Sequence, residues 1–207
     1  MKLDKMLRQG LQDMGIGVAA PVQKRLLAFL ELLEKWNRSY NLTAVRDPEL
    51  MVPRHLLDSL TVLPFLQGPQ VLDIGTGAGL PGVPLALVRP DLEFTLLDSN
   101  AKKTRFVTQA MHELGLKNVG IVQERVEKFH PAIKFDTLIA RAFASIPDML
   151  TASRHLCAAH GRFLVMKGVF PQEELAAVTD GYRAEVKALH IPGLDVARHL
   201  VVLTPTN

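Results

Sequence analysis

The spacing of apolar positions changes character once along the chain, near residue 70. From Val22 to Trp36 the large apolar residues fall at 22, 26, 29, 30, 33 and 36, which places them on one stripe of an amphipathic α-helix. The run Asn-Arg-Ser-Tyr-Asn that starts at Asn37 breaks the pattern and is expected to end that helix. A second helix opens at Asp47-Pro48-Glu49, which supplies an N-cap, a proline at the first helical position and an acid near the positive end of the dipole. It is expected to bend at Pro53 and to run toward Phe65. Residues 1–65 therefore read as an α-helical cap, with Gln67-Gly68-Pro69 as the joint to the rest.

Beyond the joint, short apolar runs at 71–74, 92–97, 119–122, 137–140 and 162–166 alternate with helical stretches at roughly 80–88, 100–114, 145–159 and 172–181. Strand and helix in that alternation make βαβ units, right-handed crossovers and a parallel sheet. After Met166 the rhythm changes again. Segments 184–191 and 199–204 read as two strands around a Pro-Gly-Leu-Asp turn, an antiparallel pair at the sheet's edge. The expected fold is α/β, a Rossmann-like doubly wound sheet of five parallel strands plus an antiparallel closing pair. The sheet unit spans 66–207 and forms one compact body with the cap at 1–65.

Composition narrows this picture modestly. The 207 residues are 48% apolar, 22% charged and 6% aromatic, a globular balance far from disordered chains. A single cysteine, Cys157, excludes an intramolecular disulfide and a multi-thiolate zinc site. No His/Cys/carboxylate cluster suggests a metal. The first twenty residues mix acids and bases, so no signal-peptide run is present, and no stretch approaches the roughly 18 apolar residues of a membrane span. A soluble, cytoplasmic, monomeric protein is expected. Lys and Arg number 24 against 21 Asp and Glu, so any nucleic-acid contact has to come from a local patch.

The chemistry concentrates in Asp73-Ile74-Gly75-Thr76-Gly77-Ala78-Gly79-Leu80-Pro81-Gly82, which ends the first strand and opens the first helix of the sheet unit. Glycines there let backbone N–H groups approach a ligand closely. Read from Gly77, the loop matches the dinucleotide pattern G-x-G-x-x-G; read from Gly75, where the strand ends, it does not, because Leu80 holds the sixth position. Asp73 would repel a pyrophosphate and attract a sulfonium and an α-amino group, which favours S-adenosylmethionine over a nicotinamide dinucleotide. Asp98 follows Gly75 by 23 residues, at the end of the second strand. Its carboxylate either accepts both ribose hydroxyls of an adenosine or caps the next helix, a role open also to Ser99 or Asn100.

The D-x-G-x-G-x-G loop, the Leu96-Leu97-Asp98 strand end and the closing strand pair resemble class I S-adenosylmethionine-dependent methyltransferases. More narrowly, DIGTGAGLPGVPLA, LLDSNAKKTRF, FDTLIARAFAS, WNRSYNLTAVRD and RHLLDSL are similar to the small-subunit (16S) ribosomal RNA guanine-N7 methyltransferase G family, also called glucose-inhibited division protein B. The resemblance runs from about Leu26 to Leu203. It implies methyl transfer from S-adenosylmethionine to a guanine N7 of small-subunit rRNA, free or within a subunit. It also implies cofactor contacts at Gly75 and Leu80, a ribose contact at Asp98, and positions beside the adenine at Val126 and Glu127. Thr76, Gly77 and Gly79 complete the cofactor loop, with Asp73 at its base. Ala78 stands where the family often has proline.

Arg141 matches a site arginine of that family, at the end of the fourth strand, and the resemblance implies that it also contacts the cofactor. Guanine N7 carries a lone pair and no proton, so its methylation needs no general base. An arginine is a natural donor to the Hoogsteen edge, through O6 when N7 is reacting. Arg141 and Arg198 are the candidate substrate-positioning residues. Phe143 either stacks on the base or belongs to the core. Lys167-Gly168 ends the fifth strand on the ligand side. Arg54-His55 in the cap and the Lys102-Lys103-Thr104-Arg105 turn are equally readable as RNA contacts or as solvated surface. His55 taken alone fits a solvated surface, and His112, His130, His155, His160 and His190 fit surface or satisfied histidines. Three other functions share the fold: a nicotinamide-dependent oxidoreductase, a methyltransferase of small molecules or proteins, and an RNA-binding or ribosome assembly factor without this activity.

Overall fold

The structure, a computed structural model, describes residues 2–141, 143, 145–178 and 181–206. Its centre is a seven-stranded sheet of order β3-β2-β1-β4-β5-β7-β6, formed by β1 (Gln70–Ile74), β2 (Glu93–Leu97), β3 (Val119–Val122), β4 (Phe135–Arg141), β5 (Cys157–Lys167), β6 (Tyr182–Leu189) and β7 (Arg198–Pro205). The first five strands are mutually parallel, and β7 runs antiparallel to both β5 and β6. That is the architecture read from the chain, including the closing pair.

Eight α-helical segments surround the sheet among the described residues: α1 (Lys2–Asp13), α2 (Ala20–Tyr40), α3 (Pro48–Met51), α4 (Asp58–Leu60), α5 (Gly82–Val88), α6 (Ala101–Leu114), α7 (Ile146–Ser153) and α8 (Gln172–Ala176). None is long and apolar enough to cross a membrane. The apolar stripe of α2 is buried through Leu26, Phe29, Leu30 and Leu33. These side chains share one cluster with Val71, Phe94, Leu96 and Phe106 of the sheet unit. Arg25 of α2 donates to the carbonyl of Leu114 at 2.6 and 3.1 Å, satisfying an end group of α6. α1, which the periodicity argument had not singled out, buries Leu7 and Leu11 and passes so close to Leu57 that a Cβ at Gly10 would overlap its methyl group.

Several elements differ from the pattern reading. The bend expected at Pro53 is a π-helical stretch, Val52–Leu57, between α3 and α4. Proline has no N–H to continue the ladder, and the wider turn absorbs that loss. The helix expected over 145–159 stops at Ser153, and β5 begins at Cys157 rather than at 162. Helix-favouring residues in LCAAHG hide the strand, which exists because Cys157 pairs with Phe135 across an irregularity before the register resumes at Thr137 and Arg162. At that irregularity Gly161 approaches the Phe135 carbonyl closely enough to exclude any Cβ. The segment read as helical over 172–181 is helical only to Ala176, and Thr179 and Asp180 lie outside the described residues.

Candidate active site

Two cavities open at the carboxyl ends of the parallel strands, where ligands of open α/β sheets bind. The first, about 210 Å³, is bounded by Gly75 and Ile74 from β1, Leu97, Asp98 and Ser99 from β2, Glu124 to Glu127 after β3, and Phe143 after β4. The loop that forms its floor depends on glycine. Gly75 and Gly77 have φ of 68° and 60°, and a Cβ on Gly75 would meet no protein atom within 4 Å, so it would project into open space. Gly79 instead serves packing, since a Cβ there would overlap Val83.

Of the loop residues named from sequence, Gly75 lines this cavity; Thr76 and Leu80 are buried beneath it. Asp73 is also beneath the loop, 0% exposed. Its Oδ2 accepts from Thr76 Oγ1 at 2.7 Å and from the Gly82 N–H at 2.9 Å, tying the loop to the start of α5, while Oδ1 has no partner within the protein. Burial raises its carboxyl to about 6, against the pull of those two hydrogen bonds. Asp73 therefore fixes the loop from below.

Asp98 stands at the cavity wall. Its Oδ2 accepts from the Gly77 N–H at 2.9 Å and Oδ1 from Asn100 N–H at 2.8 Å. The cap of α6 is Asn100, whose side chain accepts from Lys102 and Lys103 N–H groups. Asp98 is thus free of the capping role. Lys103 Nζ lies 4.0 Å from its carboxylate, and Lys102 and Arg105 are exposed. Val126 and Glu127, on the turn after β3, line the same cavity. Phe143 does so too, and packs partly against the core under α7, whereas its neighbours Ala142 and Ala144 lie outside the described residues.

The second cavity, about 430 Å³, is lined by Arg141 and Lys167 at the ends of β4 and β5, by Arg198, and by Arg54, His55 and Asp58 from the cap. Arg198 reaches it because β7 is antiparallel: its first residues lie beside the last of β5, with His199 opposite Lys167. Asp58 binds both arginines, with Oδ2 3.3 Å from Arg141 Nη1 and Oδ1 3.2 Å from Arg198 Nε. Burial raises the Asp58 carboxyl, and the two guanidiniums pull it the other way. Lys167 pairs with Glu174 at 2.8 Å.

His55 corrects the sequence reading. It is 5% exposed rather than solvated, on the buried side of the π-helical stretch. Its Nε2 meets Thr43 Oγ1 at 3.0 Å, and burial, reinforced by Arg141, lowers its pKa to about 4, so the imidazole is neutral at physiological pH. Asp58 is the residue that sequence reasoning passed over. The available signal was an acid and a serine interrupting the apolar run from Leu56 to Leu63. Size does not pick the site: a cavity of about 450 Å³ lies off the strand ends, between α1 and the Pro48–Leu57 segment.

The fold and the strand-end cavities define a class I S-adenosylmethionine-dependent methyltransferase fold. A methyltransferase of that type from Aquifex aeolicus superposes with a TM-score of 0.60 at 18% identity, over 82% of this chain and 97% of that one. An O-methyltransferase described as putative, from Klebsiella pneumoniae, gives 0.63 at 14% identity, over 98% and 100%. The chain belongs to the rRNA small subunit methyltransferase G family, whose model matches residues 22–201. Ribosomal RNA small subunit methyltransferase G of Nitrosococcus oceani is 50% identical over 98% of this chain and 95% of its own. The protein of that name from Klebsiella pneumoniae is 50% identical over 99% of each. The protein is an S-adenosylmethionine-dependent methyltransferase, and the open space above Gly75 and the carboxylate of Asp98 in the cavity lined by Val126 suit that cofactor.

Proposed function

We propose that this enzyme methylates N7 of a guanine in small-subunit ribosomal RNA, with the Asp98 cavity holding the cofactor and the Arg141–Arg198 cavity holding the base. The reading rests above all on the convergence of Arg141 and Arg198 on one cavity at the strand ends, beside the glycine loop. S-adenosylmethionine, when bound, supplies a methyl group on a sulfonium centre. Gly75 offers backbone and open space, Asp98 would accept from the ribose hydroxyls, and Val126 and Glu127 would lie beside the adenine. Arg141 and Arg198 donate to the guanine O6 and neighbouring phosphate, which leaves the N7 lone pair free. The lining suits a nucleophile that carries no proton: Asp58, the one acid lining the cavity among the described residues, already accepts from two guanidiniums. Orientation is then the main contribution of the protein to the rate. The enzyme works in the cytoplasm, as a monomer, where its RNA is assembled.

Single-turnover rates on unmodified subunits between pH 6 and 9 test this, together with mass mapping of the product base. The rate should be nearly flat with pH, and the product should undergo the mild alkaline ring opening of a cationic N7-methylguanine. Arg141→Ala should lower the rate about 10²-fold, and Arg141→Lys should rescue poorly, since an ammonium cannot reproduce a planar fork. A steep rise with pH, or a product that resists ring opening, refutes the N7 assignment.

A further inference from the structure

Asp58 is the sole acid lining the second cavity among the described residues, and transfer of a methyl group to a lone pair does not call for an acid. It is 4% exposed, and its burial is a cost that hydrogen bonding must offset. A cavity that only had to attract RNA would do so better without it, because affinity for phosphate rises with net positive charge. Here the positive groups are Arg54, Arg141, Lys167 and Arg198, with Lys167 held by Glu174 and His55 neutral.

The geometry shows what the carboxylate does instead. Arg141 and Arg198 enter from β4 and β7, on long side chains, each 26% exposed toward the cavity. Like charges so placed repel and swing apart. Asp58, fixed where the π-helical stretch meets α4, engages Nη1 of the first and Nε of the second with separate oxygens. Arg198 Nη1 is further tied to the Ala197 carbonyl at 3.0 Å. The guanidinium is planar, so fixing one or two of its nitrogens aims the others. We propose that Asp58 is a positioning residue that sets both arginines for the guanine and gives up RNA affinity in exchange for their orientation. This rests on the reading of the cavity as the guanine site. The cap thereby contributes to the chemical step through a residue that touches neither substrate nor cofactor.

A residue that trades affinity for orientation has a distinctive signature: its loss moves binding and rate in opposite directions. Asp58→Asn keeps the shape and removes the charge. On unmodified small subunits with saturating S-adenosylmethionine, its single-turnover rate should fall 10- to 100-fold, on the order of lost positioning effects. Affinity for the same subunits, measured with S-adenosylhomocysteine to block turnover, should stay constant or tighten, up to about tenfold at low salt. Cofactor affinity should stay within about twofold. A rate within about threefold of the parent, or a parallel loss of rate and RNA affinity, overturns the proposal. Asp58→Glu, which keeps the charge and displaces it by one methylene, serves if Asp58→Asn does not fold. It should lower the rate at least about tenfold with RNA affinity unchanged, and equal losses in both again overturn the proposal. Arg141→Ala and Arg198→Ala, run alongside, separate the two levels. If they lower the rate and the Asp58 variants do not, only the role of Asp58 fails; if they too leave it intact, the reading of the cavity fails with it.

Discussion

Removing the Asp98 side chain probes the cofactor cavity directly, and the structure sets the size of the effect. A carboxylate offers about four lone-pair directions. One is taken by the Gly77 N–H at 2.9 Å and one by the Asn100 N–H at 2.8 Å, which leaves two for a ribose diol. A hydrogen bond to a charged group contributes about 1.5–3 kcal/mol net, so Asp98→Ala should weaken cofactor binding roughly 10- to 150-fold. Part of that loss would come through Gly77, whose N–H steadies the loop, and a second ligand separates the parts. Calorimetric titration with S-adenosylhomocysteine and with its 2′-deoxy analogue, on parent and variant, gives a cycle whose coupling belongs to the hydroxyl. The loss should be clearly larger for the ribose ligand. A total loss below about twofold refutes the placement of the cofactor in this cavity, and equal losses for the two ligands confine Asp98 to holding the loop.

Phe106 of α6 meets Phe29 and Trp36 of α2 with ring centres 6.2 and 5.7 Å apart, so the cap and the sheet unit should unfold as one body. Phe106→Ala should cost about 3–5 kcal/mol in denaturant melts while keeping a single transition, and two resolved transitions would show the cap at 1–65 to be an independent module. His55, held near 4 in the folded chain against 6.5 unfolded, binds fewer protons folded over that interval, so its contribution to stability is lost as pH falls through it. Asp73, raised to about 6 from 3.8, binds more protons folded and works in the opposite sense. The stability difference between parent and His55→Asn should therefore shift by about 2–3 kcal/mol against the parent between pH 7.5 and 4.5; a difference that does not change with pH contradicts the buried neutral imidazole.

Much of this molecule was legible as local pattern. The stripe at 22–36, the five apolar runs and the change of rhythm after Met166 specified α2, the parallel sheet and its closing pair, because periodicity is a property of a few neighbouring residues. The glycine loop was equally legible, since positive φ at Gly75 and Gly77 draws on the freedom of glycine itself. Where local preference and pairing conflicted, pattern failed: residues 157–159 read as helix, and pairing of Cys157 with Phe135 across the sheet makes them strand.

The second cavity was beyond any such reading. Arg141 and Arg198 were identifiable as candidates, but Asp58 lies 83 residues from one and 140 from the other. No sequence spacing relates them. They meet because the strand order brings β4 to the centre, β7 returns antiparallel beside β5, and the segment after the π-helical turn places Asp58 against their ends. His55 shows the same dependence, since a histidine beside an arginine reads as solvated until a burial that no neighbour in sequence signals removes its charge. Sequence alone determined most of the elements, the glycine loop and the family. Charge pairing and desolvation depend on distance in space, so tertiary structure decided which groups face each other and which of them stay charged.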